Sequence, residues 1–158
     1  MRFLGIDYGQ RRIGLAISDP TGMLARPWKT IPRRGNGTQV AAAIAAEIAA
    51  LAAEDAGLGG VVIGYPRTLG GDPTDQTAAV TALARELRAR IALPVILQDE
   101  RLSSREAESL LARRVKDWRQ RKPLLDAASA SVILQDYLDG RADASIAAPD
   151  DQAERPPS

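Results

Sequence analysis

Short apolar segments and longer alanine-rich segments follow one another in an order that few folds accept. Three strand-like segments lie within the first 32 residues, and from residue 39 onward helical and strand-like segments alternate. Strands joined by short turns pair antiparallel, whereas strands joined through a helix pair in parallel. The order therefore predicts an α/β fold with a mixed five-stranded sheet of strand order 3-2-1-4-5 and helices on both faces.

Hydrophobic periodicity sets the expected limits of the helices and strands. The predicted strands are residues 3–7, 13–18, 28–31, 61–64 and 94–98. The predicted helices are residues 39–56, 75–91 and 124–139, and a further helix begins at the capping-box sequence of residues 103–106. Pro27 and Pro32 bound the third strand, while Gly57 and Gly140 are the expected ends of the first and last helices.

A chain of 158 residues accommodates one domain with a hydrophobic core and a short tail. We expect the domain to occupy residues 1–140. Residues 141–158 are acidic and contain prolines, so we expect this tail to be disordered.

The chain contains no cysteine and no histidine, which removes several classes of chemistry. It can form no disulfide, thiol nucleophile, zinc finger or Ser-His-Asp triad. A bound metal must therefore rest on oxygen ligands, which suits Mg²⁺ or Mn²⁺. The strong nucleophile that remains is a water activated by such a cation.

The sequence shows no membrane or secretion signal. No apolar run approaches the roughly 20 residues that span a bilayer. Asp7 and the two arginines that follow it within the first twelve residues do not fit a signal peptide. We therefore expect a cytoplasmic protein with no membrane partner.

Basic residues are concentrated in two segments, although the net charge is only +1. Residues 1–34 carry seven basic and two acidic residues, and residues 101–122 carry eight and three. Such segments attract a partner rich in phosphate, but solvated helix faces in an arginine-rich chain have the same composition. The pattern permits a local nucleic-acid-binding patch and excludes a uniformly basic coat.

Four acidic residues lie where the predicted sheet opens to solvent. Asp7 ends the first strand, and Asp99 and Glu100 follow the last one. With strand order 3-2-1-4-5, these strand ends lie at one edge of the sheet, where open α/β sheets bind ligands. Asp126 lies on the apolar face of the last helix and is expected to point towards the sheet, although an acid favoured by the helix dipole is an alternative explanation. Carboxylates from three elements can hold two divalent cations that act on a phosphodiester.

Four blocks of sequence resemble the YqgF family, also called RuvX. They are residues 4–19 (LGIDYGQRRIGLAISD), residues 64–66 (GYP) with two glycines after them, residues 99–104 (DERLSS), and residues 122–128 (KPLLDAA) followed by 133–138 (ILQDYL). The resemblance covers roughly residues 2–140 in the family's order. Ser103 and Ser104 stand where the family more often has two threonines, and this difference keeps the hydroxyl groups.

The resemblance implies an RNase H-like fold related to the RuvC resolvases and the activity of a metal-dependent nuclease. By position, Asp7, Glu100 and Asp126 are the implied catalytic carboxylates and the ligands of Mg²⁺ or Mn²⁺. Asp99 is a further candidate that either joins them or holds Arg101. The implied substrate is the 5′ end of the 16S ribosomal RNA precursor during ribosome biogenesis, free or in the ribosomal subunit. A four-way DNA junction in recombination and repair is the alternative.

Five residues near these acids are candidates for contacts with nucleic acid. They are Gly9, Arg12, Arg101, Lys122 and Arg119, the last of which lies in a basic stretch around Trp118 that can grip a strand by charge and stacking. Simpler explanations are an ordinary hairpin glycine, solvated cations and a tryptophan that packs in the fold.

Two other functions compete with the nuclease. Asp7, Tyr8 and Gly9 also resemble the first hairpin of actin-like and sugar-kinase-like phosphotransferases, but those proteins are typically far longer than 158 residues. A non-catalytic RNA-binding factor would use the basic surface alone. The acids argue against it, because acids near nucleic acid are unfavourable without a metal. We expect a monomer or a weak homodimer, since no long apolar surface helix marks a dimer interface.

Overall fold

The computed structural model describes residues 1–65, 75–99 and 118–147, with the backbone alone for residues 75, 118–124 and 142–147. Its elements are, in chain order, β1 (Phe3–Tyr8), β2 (Arg12–Ser18), β3 (Ala25–Pro32), α1 (Gly37–Ala52), β4 (Gly60–Tyr65), α2 (Asp75–Arg90), β5 (Val95–Asp99) and α3 (Trp118–Ala147).

The five strands form one sheet of order β3-β2-β1-β4-β5. Strands β1, β2 and β3 pair antiparallel, whereas β4 is parallel to β1 and β5 is parallel to β4. The predicted strand order and the mixed pairing are confirmed. One edge of the sheet collects the ends of four strands, at Tyr8, Pro32, Tyr65 and Asp99, and we call it the carboxyl edge.

The larger core lies between the sheet and helices α1 and α2. Alternate residues of β1 (Leu4, Ile6 and Tyr8) belong to it, and Leu4 and Ile6 are fully buried. Helix α1 contributes one buried stripe, which consists of Val40, Ala41, Ile44, Ile48 and Leu51. This stripe follows the helical spacing that the sequence predicts.

Helix α3 covers the opposite face of the sheet. Its apolar residues pack against the second face of β1, β2 and β4 in a cluster of Phe3, Ala16, Val62, Ala130, Ile133, Leu134 and Leu138. Helices therefore lie on both faces of the sheet, as predicted. In the described ranges, no helix is both long and apolar enough to cross a membrane.

Two glycines allow α3 to lie directly on the sheet. A Cβ atom at Gly14 would lie 1.9 Å from the backbone oxygen of Asp126. A Cβ atom at Gly5 would lie 2.8 Å from the Cβ atom of Leu134 and 2.9 Å from the backbone oxygen of Ala130. A close-packed interior has no room for a side chain at such distances. The backbone of α3 therefore contacts β1 and β2 because these two residues are glycine.

Strand β3 begins three residues earlier than predicted and includes both prolines that the sequence suggested as its bounds. It is an edge strand, where proline is tolerated because one side of the strand has no ladder to complete. Its register with β2 shifts between Leu15 and Ala16, which makes Trp28 the extra residue of a bulge. Pro27 therefore lies inside the strand, and the prediction that it bounds β3 is wrong.

Helix α1 ends at Ala52, four residues before its predicted end. Arg2 accounts for the early end, because its guanidinium donates to the carbonyls of Leu51 at 3.0 Å and Gly57 at 3.1 Å. The same group also donates to the carboxylate of Glu54 at 3.2 Å. These bonds satisfy one carbonyl group of the last helical turn and one carbonyl group of the turn that follows. Gly57, the predicted helix end, takes a positive φ of 64° in the turn that follows.

Helix α3 is longer than predicted at both ends, since it begins at Trp118 and continues through Gly140 to Ala147. A glycine ends a helix by adopting a left-handed conformation, and Gly140 does not have a positive φ. In a helical conformation it costs only about 1 kcal/mol relative to alanine. The first seven residues of the predicted tail are therefore helical. Residues 148–158 and the helix predicted to begin at residues 103–106 lie outside the described residues.

We expect Gly14→Ala to destabilise the fold by at least about 3 kcal/mol, because the new methyl group must displace the backbone of α3. The measurement is the free energy of unfolding in urea. Gly37→Ala is the matched control, since a Cβ atom there meets nothing within 4 Å and alanine is the better helix former. Equal stability of the two variants would contradict the direct contact between α3 and β2.

Candidate active site at the carboxyl edge

Asp7 and Asp126 come from two elements that touch at the carboxyl edge. Asp7 is the next-to-last residue of β1 and alternates with the core residues Ile6 and Tyr8, so it faces α3. Its partner in the β1–β2 ladder is Gly14, which lies against the backbone of Asp126. The close approach at Gly14 therefore brings together two of the three predicted carboxylates.

The carboxyl group of Asp7 lies in an environment that disfavours its charged form. Burial and the nearby charge of Asp126 raise its pKa from 3.8 to about 7, and burial is the larger cause. Among the described residues, no hydrogen-bond donor and no cation contacts this carboxyl group. A partly buried acid without a partner is costly, and acids with such shifted pKa values occur preferentially at functional sites.

Asp126 differs from Asp7 because it has a cation as its partner. The Nε atom of Arg12 donates a hydrogen bond to Oδ2 of Asp126 at 2.7 Å. The side chain of Arg12 is 39% exposed and that of Asp126 is 23% exposed, so the pair lies at the border of the site. Arg12, a sequence candidate for contact with nucleic acid, therefore pairs with the carboxylate of Asp126, whereas Asp7 has no counterion among the described residues.

The third predicted carboxylate belongs to a segment that the structure does not describe. Strand β5 ends at the carboxyl edge with Asp99, which is exposed and pairs in register with Tyr65 of β4. Glu100 and Arg101 follow it and lie outside the described residues. In the described part of the chain, no three His, Cys, Asp or Glu side chains form a group that could hold a metal ion. The structure thus shows two of the predicted ligands in one place.

The remaining sequence candidates are placed only in part. Gly9 closes the turn between β1 and β2, because its N–H donates to the carbonyl of Arg12 at 3.0 Å and a Cβ atom would lie 2.5 Å from that oxygen. The hairpin alone thus requires this glycine. Arg119 and Lys122 lie in the first two turns of α3, Lys122 one turn before Asp126. The side chains of both lie outside the described residues.

Two further residues support the site and are absent from the sequence-based prediction. Gly14 admits the backbone of α3, and its signal is a glycine inside an apolar strand, which often marks the close approach of another backbone. Gln76 at the start of α2 donates its side-chain amide to the carbonyl of Tyr8, next to Asp7. No local pattern identifies Gln76, because its partner is 68 residues away in the sequence.

The chemistry of this pair of aspartates fits a hard divalent cation. Mg²⁺ and Mn²⁺ prefer carboxylate oxygens, and Asp7 offers a carboxyl group that has no hydrogen bond or ion pair in the described residues. A positive charge beside Asp7 and Asp126 would oppose both causes of the raised pKa, because it stabilises a buried anion and screens the repulsion between two anions. Asp7 and Asp126 are therefore suitable ligands for such a cation.

Comparison with known proteins assigns the family. Residues 1–140 match the profile of a family described as RuvX, Holliday junction resolvase. The chain belongs to the RuvX family. A relative from Syntrophus aciditrophicus (strain SB) is 40% identical over 88% of this chain and 89% of its own length. A relative from Moorella thermoacetica is 39% identical over 88% of this chain and 95% of its own length. Both carry the name "Putative pre-16S rRNA nuclease".

Solved structures confirm the RNase H-like α/β fold for this member of the RuvX family. It matches RuvC of T. thermophilus in complex with a Holliday junction substrate with a TM-score of 0.55 and 16% identity, over 90% of this chain and 96% of that chain. A second RuvC structure from Thermus thermophilus gives a TM-score of 0.53 and 14% identity over 90% and 97%. At such identities the similarity shows the fold alone.

Family and fold together place the chain among the nucleases. It is an enzyme that hydrolyses phosphodiester bonds and takes a nucleic acid as its substrate. The match over residues 1–140 decides against the phosphotransferase, which the sequence left open as an alternative.

We expect Asp7→Asn to stabilise the metal-free protein at pH 8 more than at pH 4.5. The folded protein retains the proton of Asp7 up to a pH of about 7, whereas the unfolded chain loses it near 3.8. As the pH rises through this range, the wild-type protein loses up to about 4 kcal/mol of stability, and asparagine, which does not titrate, avoids this loss. The measurement is the free energy of unfolding in urea with a chelator at both pH values.

Asp55→Asn is the matched control for this prediction, because Asp55 is exposed in the turn after α1. The stability gain from Asp7→Asn should exceed that from Asp55→Asn by about 3 kcal/mol more at pH 8 than at pH 4.5. The same gain at both pH values would contradict the raised pKa of the Asp7 carboxyl group.

Proposed function

We propose that this member of the RuvX family is a metal-dependent nuclease that processes the 5′ end of the 16S ribosomal RNA precursor. The observation that carries the proposal is the partly buried carboxyl group of Asp7 beside Asp126, with no hydrogen bond or ion pair of its own in the described residues and with a raised pKa. Relatives of about 40% identity that are named for this RNA support the choice of substrate.

The carboxylates of the site serve as ligands in this proposal. Asp7 and Asp126 hold Mg²⁺ or Mn²⁺ together with Glu100, which directly follows β5 in the sequence. Such a cation supplies activation of the attacking water and stabilisation of the charge that develops on the phosphate. Asp7 gives up its carboxyl proton to act as a ligand, because a ligating carboxyl group must be ionised. The Nε atom of Arg12 donates to Oδ2 of Asp126 at 2.7 Å, so a bound cation would compete with this guanidinium for the carboxylate.

The substrate lies across the carboxyl edge in this proposal. Arg101, Lys122 and Arg119 contact its phosphates, and Gly9 leaves the β1–β2 turn free of a side chain where the strand approaches. The nuclease domain is residues 1–140. The protein acts in the cytoplasm, on free precursor RNA or on the assembling ribosomal subunit, as a monomer or a weak homodimer.

A four-way DNA junction is the second candidate substrate. The description of the family names a Holliday junction resolvase, and the fold is that of RuvC. A resolvase that cuts two strands symmetrically works as a symmetric dimer. The two substrates are therefore distinguishable both by the pattern of cuts and by the oligomeric state.

A cleavage assay with both substrates tests the proposal. The purified full-length chain is incubated with a labelled 5′ leader fragment of the 16S precursor or with a synthetic four-way junction, in Mg²⁺, Mn²⁺ or a chelator. We expect cation-dependent cleavage of the RNA. Asp7→Asn and Asp126→Asn should each lower the rate by more than about 100-fold, because even residues that only support a metal ligand contribute about 10- to 100-fold.

The control for this assay is Asp55→Asn, which removes an exposed carboxylate from the turn after α1 and should cleave like the wild type. Paired symmetric cuts in the junction with the RNA left intact would assign the enzyme to DNA. Tight binding of RNA with no cation-dependent cleavage would show a binding factor and contradict the nuclease.

Arg12 permits a test of the cation site that does not depend on cleavage. In Arg12→Gln, saturating Mg²⁺ should raise the melting temperature more than in the wild type, because the ion no longer competes with the guanidinium for Asp126. In Asp7→Asn the increase should be smaller than in the wild type, because one ligand is lost. Equal increases in all three proteins would contradict a cation site at Asp7 and Asp126.

A further inference from the structure

We propose that Arg11, Arg33 and Arg34, which we call the turn arginines, bind the phosphates of the RNA strand as it leaves the active site. The inference rests on the proposed function, because it assumes that the cleaved bond lies at Asp7 and Asp126. It adds a binding surface that is distinct from the five candidate contacts in the sequence.

One backbone hydrogen bond and one side-chain hydrogen bond hold the segment of Arg33 and Arg34 against the turn that carries Arg11. The N–H of Arg33, just after β3, donates to the carbonyl of Arg11 in the β1–β2 turn at 2.9 Å. The Nη1 atom of Arg33 donates to the carbonyl of Gly9 in the same turn at 3.0 Å. The loop that carries Arg33 and Arg34 is therefore held against the turn that carries Arg11, at the carboxyl edge.

The turn arginines have no acidic partner in the described part of the chain. Other cations in the same ranges do have one, since Arg2 pairs with Glu54 and Lys29 pairs with Glu47. Arg11 and Arg34 are exposed. Positive charges on neighbouring segments repel one another, so an anionic partner at this surface is favourable.

Arg33 is already held in a geometry that suits a phosphate. Its guanidinium lies over the ring of Tyr8, with 4.1 Å from Cζ to the ring centroid, and one of its nitrogens is bound to Gly9. A guanidinium has five N–H donors, so donors remain for a bidentate contact with a phosphate. Because Tyr8 follows Asp7 directly, the support of Arg33 is next to the candidate active site.

The path from the aspartates to the turn arginines is short. The turn at Gly9 lies two residues beyond Asp7, which is about 7 Å along the strand. Successive charges on one nucleic-acid strand are about 3.4 Å apart along the helix axis. A strand whose scissile phosphate lies at Asp7 thus reaches the turn within about two nucleotides. Asp7 faces α3, whereas Tyr8 and the guanidinium of Arg33 over its ring lie on the opposite side of the sheet. An RNA strand that runs from Asp7 to Arg33 therefore crosses the β1–β2 turn, which carries Arg11.

RNA fits this surface better than an acidic protein does. The surface borders a site that acts on phosphodiester bonds, and a substrate strand brings its own neighbouring phosphates to that place. Arginine matches phosphate through paired N–H donors, and contacts with the phosphate backbone hold a strand without reading its sequence. An acidic protein partner is an outcome that the experiment distinguishes.

The test measures RNA binding without cleavage. We propose to titrate the full-length chain, in a chelator, into a fluorescent single-stranded 5′ leader fragment of the 16S precursor at several salt concentrations. The variant is R11Q/R34Q, which removes the two exposed turn arginines. The matched control is Arg26→Gln. Arg26 is exposed and lies near the beginning of β3, at the end of the strands that is opposite to the carboxyl edge.

We expect R11Q/R34Q to bind about tenfold more weakly at low salt and to reduce the slope of log Kd against log salt by about 1.4, roughly 0.7 for each lost contact with a single strand. Arg26→Gln should bind like the wild type, and all three proteins should have the same melting temperature. A wild-type affinity and slope for R11Q/R34Q would overturn the inference.

The outcomes separate this inference from the proposed function. In one outcome, the wild type cleaves RNA, and R11Q/R34Q binds and cleaves RNA as well as the wild type does. The turn arginines are then not a binding surface, and the proposed nuclease function is supported. If no cleavage occurs but RNA binding depends on the turn arginines, the binding surface is supported and the proposed nuclease function is contradicted. Dependence on the turn arginines for a four-way DNA junction or an acidic polypeptide, without an effect on RNA, would overturn RNA as the ligand.

Discussion

The direct contact between α3 and the sheet is the constraint on which the rest of the structure depends. Gly5 and Gly14 admit the backbone of the helix, and Gln135, inside the same helix, binds the turn between β2 and β3. The side chain of Gln135 donates to the carbonyl of Met23 at 2.9 Å and accepts from the N–H of Ala25 at 2.8 Å. Because these contacts hold α3 from Asp126 to Gln135, the helix has little freedom to rotate, and Asp126 is kept beside Asp7.

Asp7 and Asp19 both lie near strand ends, but their carboxyl groups have opposite pKa shifts. Asp19 accepts hydrogen bonds from the backbone of Leu24, Met23 and Thr21 and from the Thr21 hydroxyl, and these bonds hold its pKa well below its ordinary value. Asp19 therefore organises a turn. Asp7 has no such donors in the described residues, and its pKa is raised. Ionised Asp7 therefore lowers the stability of the fold, as is expected at a site prepared for a positively charged ligand.

Much of the fold follows from local patterns, and the exceptions have identifiable physical causes. The strand order and the two covered faces follow from the order of segments, because short turns and helical crossovers allow few arrangements. The limits of α1 and α3 do not follow in the same way. Arg2 ends α1 from a position 49 residues away from its partner Leu51, and Gly140 stays helical although glycine is the usual stop signal. A contact between residues far apart in sequence, or the backbone conformation that Gly140 adopts, cannot be predicted from the neighbouring residues in the sequence.

The amino-acid sequence by itself determined the fold class and the two acids that meet at the carboxyl edge, because strand ends and helix faces are periodic properties of the chain. Its sequence motifs determined the family. Only the tertiary structure decided which of the neighbouring charged groups pair with one another. Arg12 lies on Asp126, Asp7 has no counterion in the described residues, and Arg33 lies against the turn that carries Arg11. These pairings depend on which backbones approach within hydrogen-bond distance, and such distances arise only after β1, β2, β3 and α3 have packed together.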